Sequence, residues 1–222
     1  MKKFLTSFAI LFFALAVYGQ NTVMSTWPYM YPEFANGTTY LRDGKKYEKE
    51  KNVHLAPGRL HFIDNGMIKE INTPDIILVD LNGEQFTVLD GNVVKAVGDL
   101  DNGYVAIHTA VDFQRLNESQ GAYGMTTTNS ATMKMSSVDL VGVNTNHMEL
   151  RQNKNSGKEI ALKSDYYVVA GGIVSKATKK GIEDNLDAAG KAAFKTFQKQ
   201  HKIKWKDPES LLQIVDFLNS LQ

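Results

Sequence analysis

The sequence predicts an α+β protein with an antiparallel β-meander, in the form of either a small barrel or a sandwich. A short β-hairpin and a C-terminal helical unit follow the meander. Three observations lead to this prediction. Asx-Gly dipeptides recur between short β-rich runs, the runs are too closely spaced for crossover connections, and helix-capping residues precede apolar helical faces near the C-terminus. The composition, 43% hydrophobic and 22% charged residues, is typical of a globular chain.

Turn-forming dipeptides divide the region of residues 38–116 into short strands. They are Asp43-Gly44, Asn65-Gly66, Asn82-Gly83, Asp90-Gly91 and Asn102-Gly103. Asn, Asp and Gly tolerate the positive φ that two-residue hairpin turns require. The predicted strands are residues 52–55, 60–63, 67–71, 75–80, 85–89, 92–97 and 104–109. Parallel strands need crossovers of a dozen or more residues, so strands this close together are predicted to be antiparallel.

Two of these strands have informative patterns. Residues 75–80 (Asp-Ile-Ile-Leu-Val-Asp) are apolar without alternation, which predicts a central strand covered on both faces. Residues 85–89 (Gln-Phe-Thr-Val-Leu) alternate between polar and apolar side chains. They are therefore predicted to form a half-exposed strand.

Residues 158–222 are predicted to form strands and three helices. Strands are expected at residues 159–162 and 166–170, with a Gly171-Gly172 turn leading into residues 173–177. Capping signals predict helices after Thr178, after Asp187 and at Asp207-Pro208. The last helix carries apolar residues at helical spacing: Leu211, Ile214, Val215 and Leu218.

The segment between these regions, residues 117–157, is rich in Ser, Thr and Gly and has no sustained apolar period. Long loops of this kind are either mobile surface segments or functional flaps, and we favour the mobile segment. In chain order, the expected segments are a signal peptide (1–19), an aromatic N-terminal arm (20–37), an antiparallel β domain (38–116), this loop (117–157) and a hairpin with three helices (158–222).

The N-terminus has the pattern of a secretory signal peptide. Lys2 and Lys3 precede an apolar run at residues 4–17, and Val17 and Gly19 are small enough for positions −3 and −1 of a cleavage site. The run is shorter than the roughly 20 residues of a membrane-spanning helix. An uncleaved anchor or a buried helix is the alternative. We expect cleavage after Gly19, export to the periplasm or beyond, and no transmembrane segment in the mature chain.

Charge and cysteine content exclude several functional classes. Lys and Arg number 25 against 24 Asp and Glu, so the chain as a whole is no polycation and nucleic acid is not an expected partner. The absence of cysteine excludes disulfides, Cys-ligated zinc, iron–sulfur clusters and thiol catalysis. No cofactor is predicted.

No catalytic motif is present, so an enzyme is not expected. The chain lacks a Gly-x-Ser-x-Gly nucleophile elbow and a His-Glu-x-x-His zinc motif. The alternative is a small periplasmic hydrolase with a dispersed Ser/His/carboxylate site, for which His108 or His147 would be the histidine. His54 is interpreted as a surface or satisfied core residue.

A copper site is the one metal hypothesis that the sequence raises. Soft thioether ligands suit Cu(I), and four methionines lie within residues 117–157: Met125, Met133, Met135 and Met148, the last beside His147. The alternative is a chance grouping in a flexible loop. We favour that alternative and predict no metal.

Two groups of residues are candidates for binding. The aromatic arm carries Trp27, Tyr29 and Tyr31, which can stack on sugars or enter a partner's groove, or instead pack on the protein's own core. Residues 176–206 carry a local excess of six positive charges. The lysines of its helical face, Lys191, Lys195, Lys199 and Lys202, can meet an acidic partner or lipopolysaccharide phosphates, or form an ordinary solvated face. We favour the self-packed arm and the solvated face.

The C-terminal region resembles the tail of a group of uncharacterised exported bacterial proteins. The shared features are the Tyr166-Tyr167 strand, the Gly turn, the Lys-rich helices and residues 202–212 (Lys-Ile-Lys-Trp-Lys-Asp-Pro-Glu-Ser-Leu-Leu). Residues 40–47 are similar to the Gly-turn strands of that group. The resemblance implies export and no particular activity. The sequence thus predicts a non-enzymatic cell-envelope protein that binds or scaffolds a protein or a glycan, and it leaves the oligomeric state open.

Overall fold

The structure, a computed structural model, describes residues 24–25, 27–118, 144–154 and 160–221. The signal peptide and most of the Ser/Thr-rich loop lie outside the described residues. The same holds for three methionines of the copper hypothesis, Met125, Met133 and Met135. Among the described residues, no helix combines the length and the apolar character that crossing a bilayer requires.

The described residues form eleven strands, five α-helices and one 3-10 turn at Thr73–Asp75. The strands are β1 Met24–Ser25, β2 Ala35–Leu41, β3 Lys46–His54, β4 Arg59–Asp64, β5 Met67–Glu70, β6 Ile76–Leu81, β7 Glu84–Leu89, β8 Asn92–Asp99, β9 Gly103–Val111, β10 Ile160–Ala170 and β11 Ile173–Lys176. The helices are α1 Phe113–Glu118, α2 His147–Gln152, α3 Lys179–Glu183, α4 Ala188–Gln200 and α5 Pro208–Asn219.

The strands form one antiparallel sheet in the order β1-β10-β9-β8-β7-β6-β2-β3-β4-β5, with β11 paired to β10. The predicted α+β class with an antiparallel meander is confirmed. The sheet is open, whereas the sequence predicts a small barrel or a sandwich. The meander order is broken twice: β6 pairs with β2 and not with β5, the strand that precedes it in the chain, and β1 pairs with β10 and not with β2.

The hairpin turns follow the chemistry that the dipeptides predict. Positive φ occurs at both central residues of the β4–β5, β6–β7 and β7–β8 turns, which are Asn65-Gly66, Asn82-Gly83 and Asp90-Gly91. Only residues that tolerate the left-handed region fit both positions of such a turn. The local signals therefore define these hairpins.

Strand β6 is central, as predicted, but it is not covered on both faces. Ile76 and Val79 are buried on one face, whereas Leu78 and Asp80 on the other face are only half-buried. Ile77, the extra residue of a β-bulge, is 50% exposed. The reason is the position of the helices: α5 packs on β9 and β10, which lie three and four strands away from β6. The outer face of β6 is therefore only partly covered.

Strand β10 is a single strand where the sequence predicts two. It pairs with β9 from Leu162 to Val169, so residues 160–170 continue the sheet of the preceding region. The polar residues Lys163, Ser164 and Asp165 interrupt the apolar pattern. Because they are exposed or half-buried within the strand, they break the hydrophobic pattern without breaking the strand.

The sheet curls around a core that joins strands distant in its order. Side chains of β3 and β4 pack with those of β6, β7 and β8, including Val53, Leu60, Val79 and Phe86. The Val93 N–H donates to the Gly58 carbonyl at 2.8 Å, which fastens the β3–β4 turn to β8. This curl brings the two halves of the open sheet into contact.

A second core lies under the C-terminal helices. The helix starts are as predicted: Thr178 Oγ1 accepts from the Gly181 N–H at 3.0 Å, and Asp187 Oδ1 accepts from the Gly190 N–H at 2.7 Å. The predicted apolar face of α5 is buried with Phe194 of α4 against β9 and β10. Helix α5 lies very close to the β8–β9 turn, since a Cβ placed on Gly103 (φ +130°) would lie 2.6 Å from Val215 Cγ1.

Candidate functional site

Strand β11 is an exposed edge of the sheet. Among the described residues it pairs only with β10, in the register Val168–Ser175 and Ala170–Ile173. The Ala177 N–H donates to the Tyr166 carbonyl at 2.8 Å, which marks 166–177 as a hydrogen-bonded pair. Such pairs alternate along an antiparallel ladder, so Val174 directs both its N–H and its C=O away from β10.

The side chains on this edge are apolar and exposed. Ile173 is 49% exposed and Val174 is 40% exposed, and as neighbours on a strand they project to opposite faces of the sheet. Natural edge strands are usually protected by charges, by proline or by a covering segment. The charge on β11 is Lys176, at the end farther from the hairpin turn.

An apolar groove of about 460 Å³ begins beside this edge. It lies between β11, the start of α4 and the end of α5, and its lining includes Ile173, Ser175, Leu186, Gly190, Ala193 and Leu218. Ser175 is buried, and its Oγ accepts from Asn185 Nδ2 at 2.8 Å. The small residues of α4 leave room for an apolar side chain from outside. We call the edge of β11 and this groove together the edge groove.

The predicted lysine candidates form a separate surface. Lys191, Lys195, Lys199 and Lys202 are all exposed, and we call them the lysine face. The ion pairs of this region join other residues, namely Lys176 with Asp165, Lys179 with Glu183 and Lys204 with Asp207. Ala193 of the groove lies two residues from both Lys191 and Lys195, about half a turn around the helix. The lysine face and the edge groove therefore lie on different sides of α4.

The aromatic arm packs on the protein's own core. Trp27 and Tyr29 are buried with Phe34, and Trp27 Nε1 donates to the Tyr31 carbonyl at 2.8 Å. Tyr31 is half-buried, and its hydroxyl donates to Glu84. Trp27 and Tyr29 are thus not surface candidates, because the arm pairs with the end of β3, where the Met30 N–H donates to the Val53 carbonyl at 2.9 Å. For Trp27 and Tyr29, the alternative that the arm packs on the protein's own core is therefore the correct one.

The structure brings together a buried Tyr–His group that sequence reasoning missed. Tyr29 Oη lies 3.0 Å from His61 Nδ1, and the ring of His54 lies 4.9 Å from that of His61. His61 Nε2 lies 3.4 Å from Glu70 Oε2 and forms no hydrogen bond with a described residue. We assign the proton of the neutral His61 to Nε2, since the Tyr29 hydroxyl can then donate to Nδ1 and Nε2 faces a carboxylate, which only accepts.

The environment keeps this group neutral. Burial, followed by the nearby His54, lowers the pKa of His61 to about 3. Burial also raises the pKa of Tyr29. A neutral, buried imidazole and phenol stabilise the attachment of the arm. They do not resemble an exposed acid–base pair.

His108 and His147, the histidines of the hydrolase hypothesis, are not placed beside a nucleophile among the described residues. His108 lies opposite Asp165, whereas the hydroxyls of Thr109 and Ser164, 2.8 Å apart, project to the other face of the same strand pair. Burial lowers the pKa of His108, and Asp165 partly offsets this. His147 packs its ring against Phe34, with 5.2 Å between the centroids.

The described part of the chain supports neither a metal-binding site nor an accessible reactive lysine. No group of three or more His, Asp or Glu residues there is placed to hold a metal ion, and Met148 is exposed. Lys51 is fully buried, with Nζ donating to Thr39 Oγ1 at 2.9 Å and to the Tyr47 carbonyl at 2.7 Å. Burial lowers the pKa of Lys51 to about 8, but its amine is enclosed within the sheet.

Comparisons of the chain with protein-family models, with curated proteins and with solved structures gave no match. Two surfaces of the described residues remain as candidates for interaction with other molecules. They are the edge groove, which offers main-chain groups and apolar side chains, and the lysine face, which offers positive charge.

Proposed function

We propose that this chain is an exported, non-enzymatic protein of the cell envelope that binds a partner protein, and that the edge groove receives an extended segment of that partner. The observation that supports this most is the exposed apolar edge of β11, where Ile173 and Val174 flank outward-directed main-chain groups. An added strand would complete the ladder at this edge.

The chemistry of the edge groove favours a peptide over a glycan. Main-chain hydrogen bonds to an added strand give affinity, and pockets for alternate side chains give specificity. The groove lies on the same face as Ile173 and Ser175, so it suits one apolar side chain of the added strand. Sugars are bound by exposed aromatic rings, and Trp27 and Tyr29 are buried.

A second copy of the chain is a less suitable occupant of this edge. In antiparallel pairing of β11 with a second copy about a two-fold axis, the outward-directed Val174 and Lys176 must lie opposite each other when the axis passes at Ser175. That pairing places the charge of Lys176 beside an apolar side chain. A lysine on an edge strand acts against self-pairing of this kind. The partner strand is therefore expected to be a different sequence.

Photocrosslinking in the exporting cells tests the proposed surface. A photoreactive amino acid replaces Ile173 in one variant and Ile77 in a matched control, since the two side chains are 49% and 50% exposed and both lie on strands. We expect one discrete adduct from position 173 and none from position 77. Equal labelling from both positions, or none from 173, would contradict the proposal, and an adduct with a second copy would replace it by self-association.

The substitution Val174→Pro separates binding from folding. The Val174 N–H faces away from β10, so proline removes no hydrogen bond of the fold there but blocks an added strand. We expect the yield of the 173 adduct to fall about tenfold or more. The control Val174→Thr keeps the N–H and should keep the adduct. A normal yield from a folded Val174→Pro variant would show that the partner does not pair with this edge.

Export is a separate part of the proposal, supported by the lysines and the apolar run of the first 19 residues. Native intact mass of the protein from the periplasm tests it. The expected mass is that of residues 20–222, a chain that begins at Gln20. A mass that includes residues 1–19 would contradict cleavage.

A further inference from the structure

The charges of this chain are segregated. Residues 188–206, which comprise α4 and the segment after it, contain six lysines and no Asp or Glu. Because the whole chain carries a formal charge of +1, all the other residues together carry −5. This stretch is therefore strongly basic, whereas the rest of the chain carries a net negative charge, and an uneven distribution of this kind produces a directional field.

The geometry of α4 collects part of this charge on one side. Lys191, Lys195 and Lys199 are four residues apart, which places them along one face with a rise of about 6 Å between neighbours. Lys202 follows just after the helix end. Phe194 is buried against α5 and the sheet, so the packing of α4 directs the lysine face to solvent.

This arrangement does not serve the stability of the helix. Like charges at i,i+4 repel, and α4 contains no acidic residue that could offset them. Only Lys199 lies in the last turn, where a positive charge interacts favourably with the helix dipole. A solvated helix face usually mixes both signs of charge. Because the lysine face carries only positive charge, we expect it to bind an anion from outside the molecule.

The residue type indicates which anion. Residues 160–221 contain no arginine, so this surface lacks the planar fork that binds a carboxylate or a phosphate bidentately. Lysine ammonium groups on flexible chains suit diffuse attraction to an array of charges. The lysine face also lies on the convex side of a helix, with the groove on another side, so it fits a flat surface and not a shaped ligand.

From these observations we propose that the lysine face binds the phosphate-bearing headgroups of an anionic lipid surface. The rest of the chain has a net negative charge and is repelled by the same surface, which turns the lysine face toward the lipid. The edge groove, on a different side of α4, stays accessible in this orientation. The proposal does not depend on the partner protein, because it rests on the charges and exposure of α4.

Vesicle co-sedimentation of residues 20–222 tests the proposal. The vesicles consist of phosphatidylcholine, with or without phosphatidylglycerol. Binding is expected only with phosphatidylglycerol, and it should weaken as salt rises above about 0.15 M, where the Debye length is about 8 Å. Lys191→Gln combined with Lys195→Gln should lower the partition coefficient about thirtyfold, since each lysine near such a surface contributes about fivefold.

The matched control is Lys45→Gln with Lys46→Gln, which removes the same charge from two exposed lysines of the β2–β3 hairpin. This control should bind within about twofold of the unchanged protein. Equal binding to both kinds of vesicle, or equal losses in the two double variants, would overturn the proposal. Absence of binding to either vesicle would overturn it too and would leave an acidic protein as the partner of this face. Circular dichroism of each variant checks that α4 is retained.

Discussion

Lowering the pH from 8 to 5 should reduce the free energy of unfolding by about 2 kcal/mol through His61 alone. Its pKa is about 3 in the folded protein because the imidazole is buried, and about 6.5 in the unfolded chain. Between these values the unfolded chain binds a proton that the folded protein does not. The stabilising contribution is therefore complete above pH 6.5 and is lost as the pH falls toward 3.

Other titrating groups change little of this expectation between pH 5 and 7, and Lys51, with a pKa of about 8, affects only the upper end of the window from pH 5 to 8. The pKa of His108 is also lowered by burial, so it adds a change of the same sign. The lowered pKa values of Glu33, Glu84 and Asp99 give contributions that are lost mainly below about pH 4. Between pH 5 and 6.5, the slope is assigned to histidine.

Urea denaturation at a series of pH values measures the effect. The substitution His61→Gln should flatten the dependence between pH 5 and 7 to the remainder due to the other histidines. Equal slopes for the two proteins would contradict the assignment. If the variant does not fold, the imidazole resonance of His61 in the unchanged protein provides the test, because it should keep its neutral chemical shift down to about pH 4.

The substitution Phe194→Ala should lower the free energy of unfolding by about 3–5 kcal/mol, a large part of the stability of a typical domain. Phe194 is fully buried, and its ring lies between α4, α5 and the sheet, 5.6 Å from the ring of Phe217. The cost combines the lost transfer energy of the ring with the cavity that remains, because the strands below cannot close it.

The control for this effect is Phe197→Ala on the same helix. Phe197 is only partly buried and stacks on the exposed His201 at 4.4 Å, so its removal should be clearly less destabilising. Thermal or chemical denaturation of both variants makes the comparison. Equal losses would show that α4 does not use Phe194 as its main contact with the sheet.

Local signals in the sequence predict much of the fold because they act within a few residues. Asn82-Gly83 requires a particular turn, and Thr178 and Asp187 satisfy the N–H groups of helices that start next to them. The pairing of β2 with β6 has no such signal. It depends on how the whole sheet curls around its core, and charged residues in the first half of β3 (Lys46–His54) conceal that strand from a hydrophobic pattern.

The candidate surfaces differ in how far they can be predicted. The lysine face follows from helical spacing, and the structure places all four lysines on the exterior. The edge groove depends on what remains unpaired beside β11 and on the packing of α4 against α5, which the sequence does not encode locally. The burial of Tyr29 and His61 is likewise a tertiary effect, because it requires the arm to cross the end of β3.

The most direct test of the central claim is amide hydrogen exchange at β11 in the free protein and in the crosslinkable complex recovered from the envelope. Val174 directs its N–H away from β10 and should exchange rapidly in the free protein. Ser175, hydrogen-bonded to Val168 in the ladder, serves as the internal control and should be slow in both samples. Strong protection of Val174 in the complex is the predicted result, and unchanged rapid exchange there would contradict a partner strand at this edge.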